Sequence, residues 1–320
     1  MKQFQVIATA NTMIDLPHDL RAIGEKRLQG MGISISYAGH ADDKLFHTAG
    51  DVKNRIADFH AAARNPEIHG ILSVYGGYNS NQLLDKLDFP MLIASGKPVI
   101  GYSDFSAVLN ALAAHGSRQA YHGPSFASFC DPNMFEYTYL HFSNALSGNA
   151  VTYRCEGNFA SDLWFLKPGF GPREIRDCPE WRIFREGEAT GPIYGGNLET
   201  FCRLIGTPYL PSLDGAVLFI EDVSGNNPGA FHRDMTQLRQ AGIFDSINGL
   251  IIGKFPDGSK LDEFNHLSYI LDDVLPDRYF PVLCDVFCSH VDPMMTIPLG
   301  GYTKLEAHSS RTVTVNFNPE

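Results

Sequence analysis

The sequence predicts an α/β protein in two parts, a first half built on parallel strands and a second half richer in strand. From residue 3 to about 125, short β-branched runs alternate with amphipathic helical stretches, the pattern of parallel strands joined by crossover helices. Beyond about residue 190 the strand-like runs crowd together and end in closely spaced pairs, so the second sheet is expected to be mixed or barrel-like. The length of 320 residues also exceeds a single core of roughly 100 to 200 residues and supports two domains.

The elements follow in order. FQVIAT is the first strand, and a helix with Leu16, Leu20 and Ile23 on one face follows it. ISISYA, a helix over 50–64 and GILSVY come next, and KPVIGYS and QAYHGP carry the series to about residue 125. From about 150 to 190 the pattern fails: EGNFASDLWFLKPGFGPREIRDCPEWRIFREGEATG is rich in Gly, Pro and charge and reads as a linker or a long functional loop. GPIYGG, GAVLFIED, INGLIIGKF, PVLCDVF, TIPLGG, TKLEAH and TVTVNF then read as strands, with helices near 197–205, 229–241 and 261–274. The expected division is an N-terminal α/β domain over 1–150, a linker or active-site loop over 151–190, and a C-terminal domain over 191–320.

Composition excludes several classes. A formal charge of −11 with no basic run argues against nucleic acid, whose binding depends on clustered Lys and Arg. No stretch approaches the length of a membrane span. The opening MKQFQVIATANTMIDL has an apolar run that ends by residue 10, too short for the core of a signal peptide. Cys130, Cys155, Cys178, Cys202, Cys284 and Cys288 are scattered through a large chain, which predicts reduced thiols and a cytoplasmic location.

The stretch PVIGYSDFSAVLNALAAHG (98–116) turns from strand to helix at Ser103 and Asp104. Either residue can cap the helix, or Ser103 can be a nucleophile raised on an elbow. The elbow departs from the G-x-S-x-G form, since Phe105 stands at the second glycine position. Open α/β sheets collect ligands at strand ends, where Ser103 closes PVIGY, Glu221 closes AVLFIE and His290 lies just beyond PVLCDVF. Nucleophile, orienting carboxylate and base are the three roles such a set can fill. Each has a plainer reading: a helix cap for Ser103, a solvated or ion-paired carboxylate for Glu221, and one of twelve histidines in a loop for His290. Gly76 and Gly77, in SVYGGYNSN, follow a strand and precede a helix; the backbone amides of Gly77 and Asp104 can form an oxyanion hole, or the pair is an ordinary βα turn. CDVFCSH offers Cys284, Cys288 and His290 without the fourth ligand zinc takes, HADDKLFH (40–47) reads as a polar loop, and no G-x-G-x-x-G run occurs. Neither a metal nor a cofactor is expected.

GYSDFSAVLNAL, YGGYNSNQLLDKLDF, GPIYGGNLETFCRLIGTPYLPSLDGAVLFIEDV, HRDMTQLRQAGIFDSINGLIIGKF and HVDPMMTIPLGG together resemble the LD-carboxypeptidase family, serine peptidase family S66, over about residues 5–310 and in family order. The resemblance implies a flavodoxin-like or Rossmann-like parallel-sheet domain and a β-rich, barrel-like C-terminal α/β domain. Carried over by position, Ser103 is the nucleophile, Glu221 the orienting carboxylate and His290 the base. The family's usual Gly before that histidine is Ser289 here, and its frequent Arg before the glycine pair is Tyr75. The implied activity is cofactor-free acyl transfer to water at the L,D bond of a murein tetrapeptide, a step of peptidoglycan recycling. GGYNSNQLL and ASDLW are similar to the branch that contains the microcin C immunity protein, which implies a peptidyl or aminoacyl nucleotide as substrate and a nucleobase stacked on Trp164. The plainer reading of Trp164 is a packing anchor shared with Trp181. Family members are commonly dimers, so a homodimer is implied. A binding module without catalysis is the third reading, which the intact trio disfavours.

Overall fold

The computed structural model describes residues 1–164, 167–170, 172–223, 228–256, 259–288 and 290–316. The chain forms two compact units, Met1–Met134 with Thr207–Pro211, and Phe135–Gly206 with Ser212–Glu320. Residues 151–190 thus lie wholly within the second unit.

In the first unit, β1 (Lys2–Ile7), β2 (Ile33–Tyr37), β3 (Gly70–Ser73), β4 (Val99–Gly101) and β5 (Ala120–His122) pair in parallel in the order β5-β4-β3-β1-β2. Between and after them run α1 (His18–Gly30), α2 (Val52–Arg64), α3 (Phe89–Ala94), α4 (Ser106–Ala114) and α5 (Phe126–Phe129). Every residue of β3, β4 and β5 is buried, as expected of parallel strands covered on both faces. Helix starts follow local chemistry: Asp51 accepts from Asn54 N at 2.8 Å ahead of α2, and Asp88 accepts from Met91 N at 3.0 Å ahead of α3. The strand order reverses between β1 and β3, and loops after those two strands meet there, with Asn11 N donating to the Gly76 carbonyl at 3.2 Å. The returning segment Thr207–Pro211 is held by Tyr209, whose hydroxyl donates to Asp85 at 2.8 Å and whose ring lies 5.9 Å from Phe89 and 6.1 Å from His115.

The second unit opens with α6 (Glu136–Leu146), β6 (Val151–Tyr153), β7 (Asn158–Phe159), β8 (Arg176–Asp177) and β9 (Arg182–Arg185). It continues through β10 (Gly187–Asn197), α7 (Leu198–Cys202), β11 (Val217–Glu221), α8 (Pro228–Gln240), α9 (Ile243–Ser246), β12 (Gly249–Gly253), α10 (Phe264–Val274) and β13 (Val282–Val286). β14 (Ile297–Pro298), β15 (Tyr302–Ala307) and β16 (Thr312–Asn316) close it. The eight-stranded sheet has the order β6-β16-β15-β10-β11-β12-β13-β9 and is mixed: β10 to β13 are parallel, and the flanking pairs are antiparallel. The parallel part explains the helices, because each return to the same edge of the sheet needs a crossover. β11, β12 and β13 are buried throughout, including Glu221 at the end of β11 and Asp285 within β13.

Two expectations are corrected. The stretch read as irregular contains four short strands, of which β9 is the edge of the large sheet on β13 and β7 pairs with β8 as a two-stranded ribbon. Strands of two to four residues are too short to show a period in sequence. The six cysteines are not all reduced: Cys155 and Cys178 form a disulfide with Cα atoms 6.2 Å apart. The β7–β8 ribbon brings them together by placing Asn158 opposite Asp177, across a separation of 23 residues. Cys130, Cys202, Cys284 and Cys288 are buried thiols outside the disulfide. No described helix is long and apolar enough to cross a membrane.

Candidate active site

The first unit carries a strained corner. Ser103 follows β4 with φ of +61°, the left-handed region that non-glycine residues adopt only where the surroundings impose it. The surroundings here are tight. A Cβ at Gly101 would fall 2.3 Å from Ser73 Oγ and 2.5 Å from Phe105 Cδ1. Phe105 is fully buried and stacks 6.3 Å from Phe59, so the residue standing at the second glycine position turns into the core. Ser103–Phe105 form one 3-10 turn before α4, whose N-cap position is Phe105. Neither Ser103 nor Asp104 is therefore the cap of that helix.

Asp104 has another task. It is buried and accepts from Ser80 N at 2.8 Å, which fastens the loop after β3 to the corner. Burial pushes its carboxyl above the usual carboxylate range, against the hydrogen bonds from Ser80 and Asn79 and the charge of Arg55. Arg55, itself buried, donates to the Thr9 carbonyl at 2.7 Å and to Gln82 Oε1 at 2.8 Å. The glycine that touches the corner is Gly76: a Cβ there would lie 2.7 Å from both Cβ and Oγ of Ser103 and 3.3 Å from Asp104 N. Gly77, at φ +154°, sits instead against Ala10 and Asn11. Tyr75 donates its hydroxyl to the Thr12 carbonyl at 2.6 Å, and burial with the nearby Asp15 charge pushes its pKa up to about 12.

The second unit brings Glu221 and His290 together. Glu221 ends β11 fully buried, and its Oε2 lies 2.7 Å from Nδ1 of His290, whose side chain is 8% exposed. A carboxylate at Nδ1 fixes the tautomer with that nitrogen protonated and the lone pair on Nε2. Burial pulls the imidazole pKa down, but the charge and hydrogen bond of Glu221, with the charges of Asp222 and Asp292, outweigh it and leave the pKa raised. Glu221 Oε1 has no hydrogen-bond partner among the described residues. Of the alternative carboxylates, Asp285 is taken up by Arg182, at 2.7 Å from Nη2, with Lys254 at 3.9 Å. Ser289 lies outside the described residues.

The segment with Trp164 is tied to the histidine segment: Ala160 and Asp292 exchange backbone hydrogen bonds at 2.8 and 3.0 Å, and Arg173 bonds both Asp162 and Asp292. Trp164 is 8% exposed, and Trp181, 1% exposed, meets the Phe287 ring edge-on at 6.0 Å. Sequence reasoning did not find Arg173, Asp292 or Arg55, because each acts through a partner distant in sequence; the carboxylate two residues after His290 was the one available signal. Among the described residues, Glu188, Glu306 and His308 bring donor atoms close enough for a metal, but Lys304 already pairs with both carboxylates at 3.3 and 2.9 Å.

Residues 5–123 match the sequence profile of the LD-carboxypeptidase N-terminal domain, and residues 190–305 match that of the C-terminal domain. The fold and these matches define a member of a hydrolase family. The chain belongs to the LD-carboxypeptidase family, peptidase family S66. It is 32% identical over 291 residues to the microcin C7 self-immunity protein MccF of Escherichia coli, covering 87% of this chain and 82% of that one. It is 25% identical over 293 residues to the murein tetrapeptide carboxypeptidase of Pseudomonas aeruginosa, with 89% and 88% covered. An MccF-like protein from Bacillus anthracis superposes with a TM-score of 0.88 at 28% identity over 98% of this chain and 96% of that one. MccF in complex with aspartyl sulfamoyl adenosine superposes with a TM-score of 0.87 at 26% identity over the same shares. Other structures of MccF contain glutamyl sulfamoyl guanosine and, in a tryptophan-to-phenylalanine variant, adenosine monophosphate.

Proposed function

We propose that this protein hydrolyses an amide-type C–N bond next to a carboxylate or its nucleotide counterpart, with Ser103 as nucleophile, His290 as general base and Glu221 as the carboxylate that orients it. Ser103 Oγ attacks the acyl carbon and His290 Nε2 takes its proton. The amides of Gly77 and Asp104 receive the developing oxyanion. The C–N bond breaks as His290 returns the proton to the leaving nitrogen, and water activated by the same histidine releases the acyl group. The observation that carries this reading is the 2.7 Å contact between His290 Nδ1 and a fully buried Glu221, together with a serine held at positive φ. A buried carboxylate with an oxygen left unpaired gains most when the imidazole becomes cationic.

Of two substrates, we favour a peptidyl or aminoacyl nucleotide. Trp164 stands on a segment anchored to the histidine loop, and solved relatives hold nucleotide-like ligands, one of them with its tryptophan changed. The second reading is the L,D bond of a murein tetrapeptide, supported by the Pseudomonas relative. The reading extends to a homodimer that uses no cofactor. Purified protein is tested on a murein tetrapeptide and on an aminoacyl sulfamoyl adenosine. Ser103→Ala removes turnover of the accepted substrate with Tm retained, whereas Trp164→Ala weakens only the nucleotide substrate, by about 10- to 100-fold in KM for a stacking contact of roughly 1 to 3 kcal/mol. Turnover surviving in Ser103→Ala refutes the mechanism; equal losses on both substrates return Trp164 to a packing role.

A further inference from the structure

Arg173 is a buried cation joining two segments that the mechanism uses separately. Its side chain is 1% exposed, with Nε 3.1 Å from Asp162 Oδ2 and Nη2 3.0 Å from both the Asp162 carbonyl and Asp292 Oδ2. Its guanidinium also lies 5.8 Å from the centroid of the Phe135 ring. Asp292 is held a second time through its backbone, by Ala160. Ala160 and Asp162 lead into Trp164, and Asp292 stands two residues after His290. A planar, permanently charged fork is well suited to bond two carboxylates and a carbonyl at once.

We propose that Arg173 is a positioning residue for His290, holding the Asp292 carboxylate and the Trp164 segment in one arrangement beside the imidazole. This rests on the reading of His290 as general base. The charged groups that act on the imidazole are Glu221 and Asp222, from the end of β11, and Asp292, from its own segment. The Cys288 thiol, buried and beside Glu221, is pushed well above its usual pKa and stays neutral. Arg173 is a buried cation paired with Asp292. Without it the Asp292 charge acts more strongly on His290 and favours the imidazolium, which cannot accept the serine proton.

The test follows the His290 titration by NMR, assigned with His290→Asn, and the pH profile of kcat/KM on whichever of the two substrates the wild type hydrolyses. In Arg173→Gln the His290 midpoint rises by about one pH unit. Its kcat/KM then falls about tenfold on the acid side and recovers at alkaline pH. Arg173→Lys keeps the charge and leaves the midpoint near the wild-type value. In an Asp292→Asn background, Arg173→Gln moves the midpoint no further. A folded Arg173→Gln protein with an unmoved midpoint overturns the proposal, as does an equal shift in the Asp292→Asn background. Should Arg173→Gln fail to fold, Asp292→Asn alone decides, since its midpoint must fall. The NMR midpoint needs no turnover, so inertness toward both substrates would count against the catalytic reading and leave this proposal to be judged by the titration.

Discussion

Replacing Gly76 with alanine places a methyl group against the Ser103 side chain. The added Cβ would lie 2.7 Å from Ser103 Cβ and from Ser103 Oγ. Carbon atoms rest at about 3.5–4.0 Å, so the loop or the corner must yield by about 1 Å. The loop cannot retreat freely, because Ser80 N is bonded to the buried Asp104 and the Gly76 carbonyl accepts from Asn11 N. The serine therefore takes much of the shift, and a reacting group misplaced by about 1 Å costs on the order of 100-fold in rate. The assay is kcat/KM on the accepted substrate beside Tm and circular dichroism, with Gly30→Ala as control. Gly30 ends α1 with nothing within 4 Å of its added Cβ, so alanine there leaves activity intact and adds up to about 1 kcal/mol of stability. A folded Gly76→Ala protein with wild-type kcat/KM would refute the argument that the loop fixes the serine.

Glu221→Gln retains shape but not charge; kcat should fall by on the order of 10⁴-fold, and the acid limb of its pH profile should move down as the imidazole loses its anionic partner. Near-normal kcat would point to Asp222 as the orienting group. Burial holds His141 at a pKa of about 4 against the ordinary 6.5, with Nδ1 unpartnered among the described residues. The unfolded chain takes up that proton first, so stability is full above pH 6.5 and is lost as pH falls toward 4, by at most about 3 kcal/mol. Urea unfolding across this range should show the loss, and His141→Gln should flatten it; an unchanged slope in the variant refutes the assignment. The disulfide closes a separation of 23 residues, worth about 3 kcal/mol if the constraint acts on the unfolded chain. Dithiothreitol or Cys155→Ser should lower Tm, and identical melting of oxidised and reduced protein would show that the bridge contributes nothing.

What the sequence shows and what it hides divides along a physical line. Buried parallel strands such as β11 and β12 are unbroken apolar runs, so strand ends, and with them Ser103 and Glu221, are visible locally. Long-range polar pairing leaves no such trace: Glu221 and His290 are 69 positions apart, and Arg173 and Asp292 are 119. The corner shows the limit of local rules. Ser and Asp at a helix start favour a cap, yet the 3-10 turn moves the cap position to Phe105 and frees Asp104 to hold Ser80. The β7–β8 ribbon and the disulfide were missed for a similar reason, since two-residue strands have no period and cysteine spacing in a large chain does not identify partners.

The return of Thr207–Pro211 to the first unit bears on how this protein can be taken apart. A gene fragment ending at residue 134 would encode β1 to β5 and still omit Tyr209. Phe89 and His115 would then lose an aromatic neighbour, and Asp85 its hydroxyl donor. Exchanging the N-terminal module with that of a relative meets the same obstacle, because the donor must bring both the contiguous stretch and a five-residue insert encoded far downstream. Excision, domain swapping and circular permutation should therefore be designed around two separated pieces of sequence, with the second grafted on or supplied as a peptide.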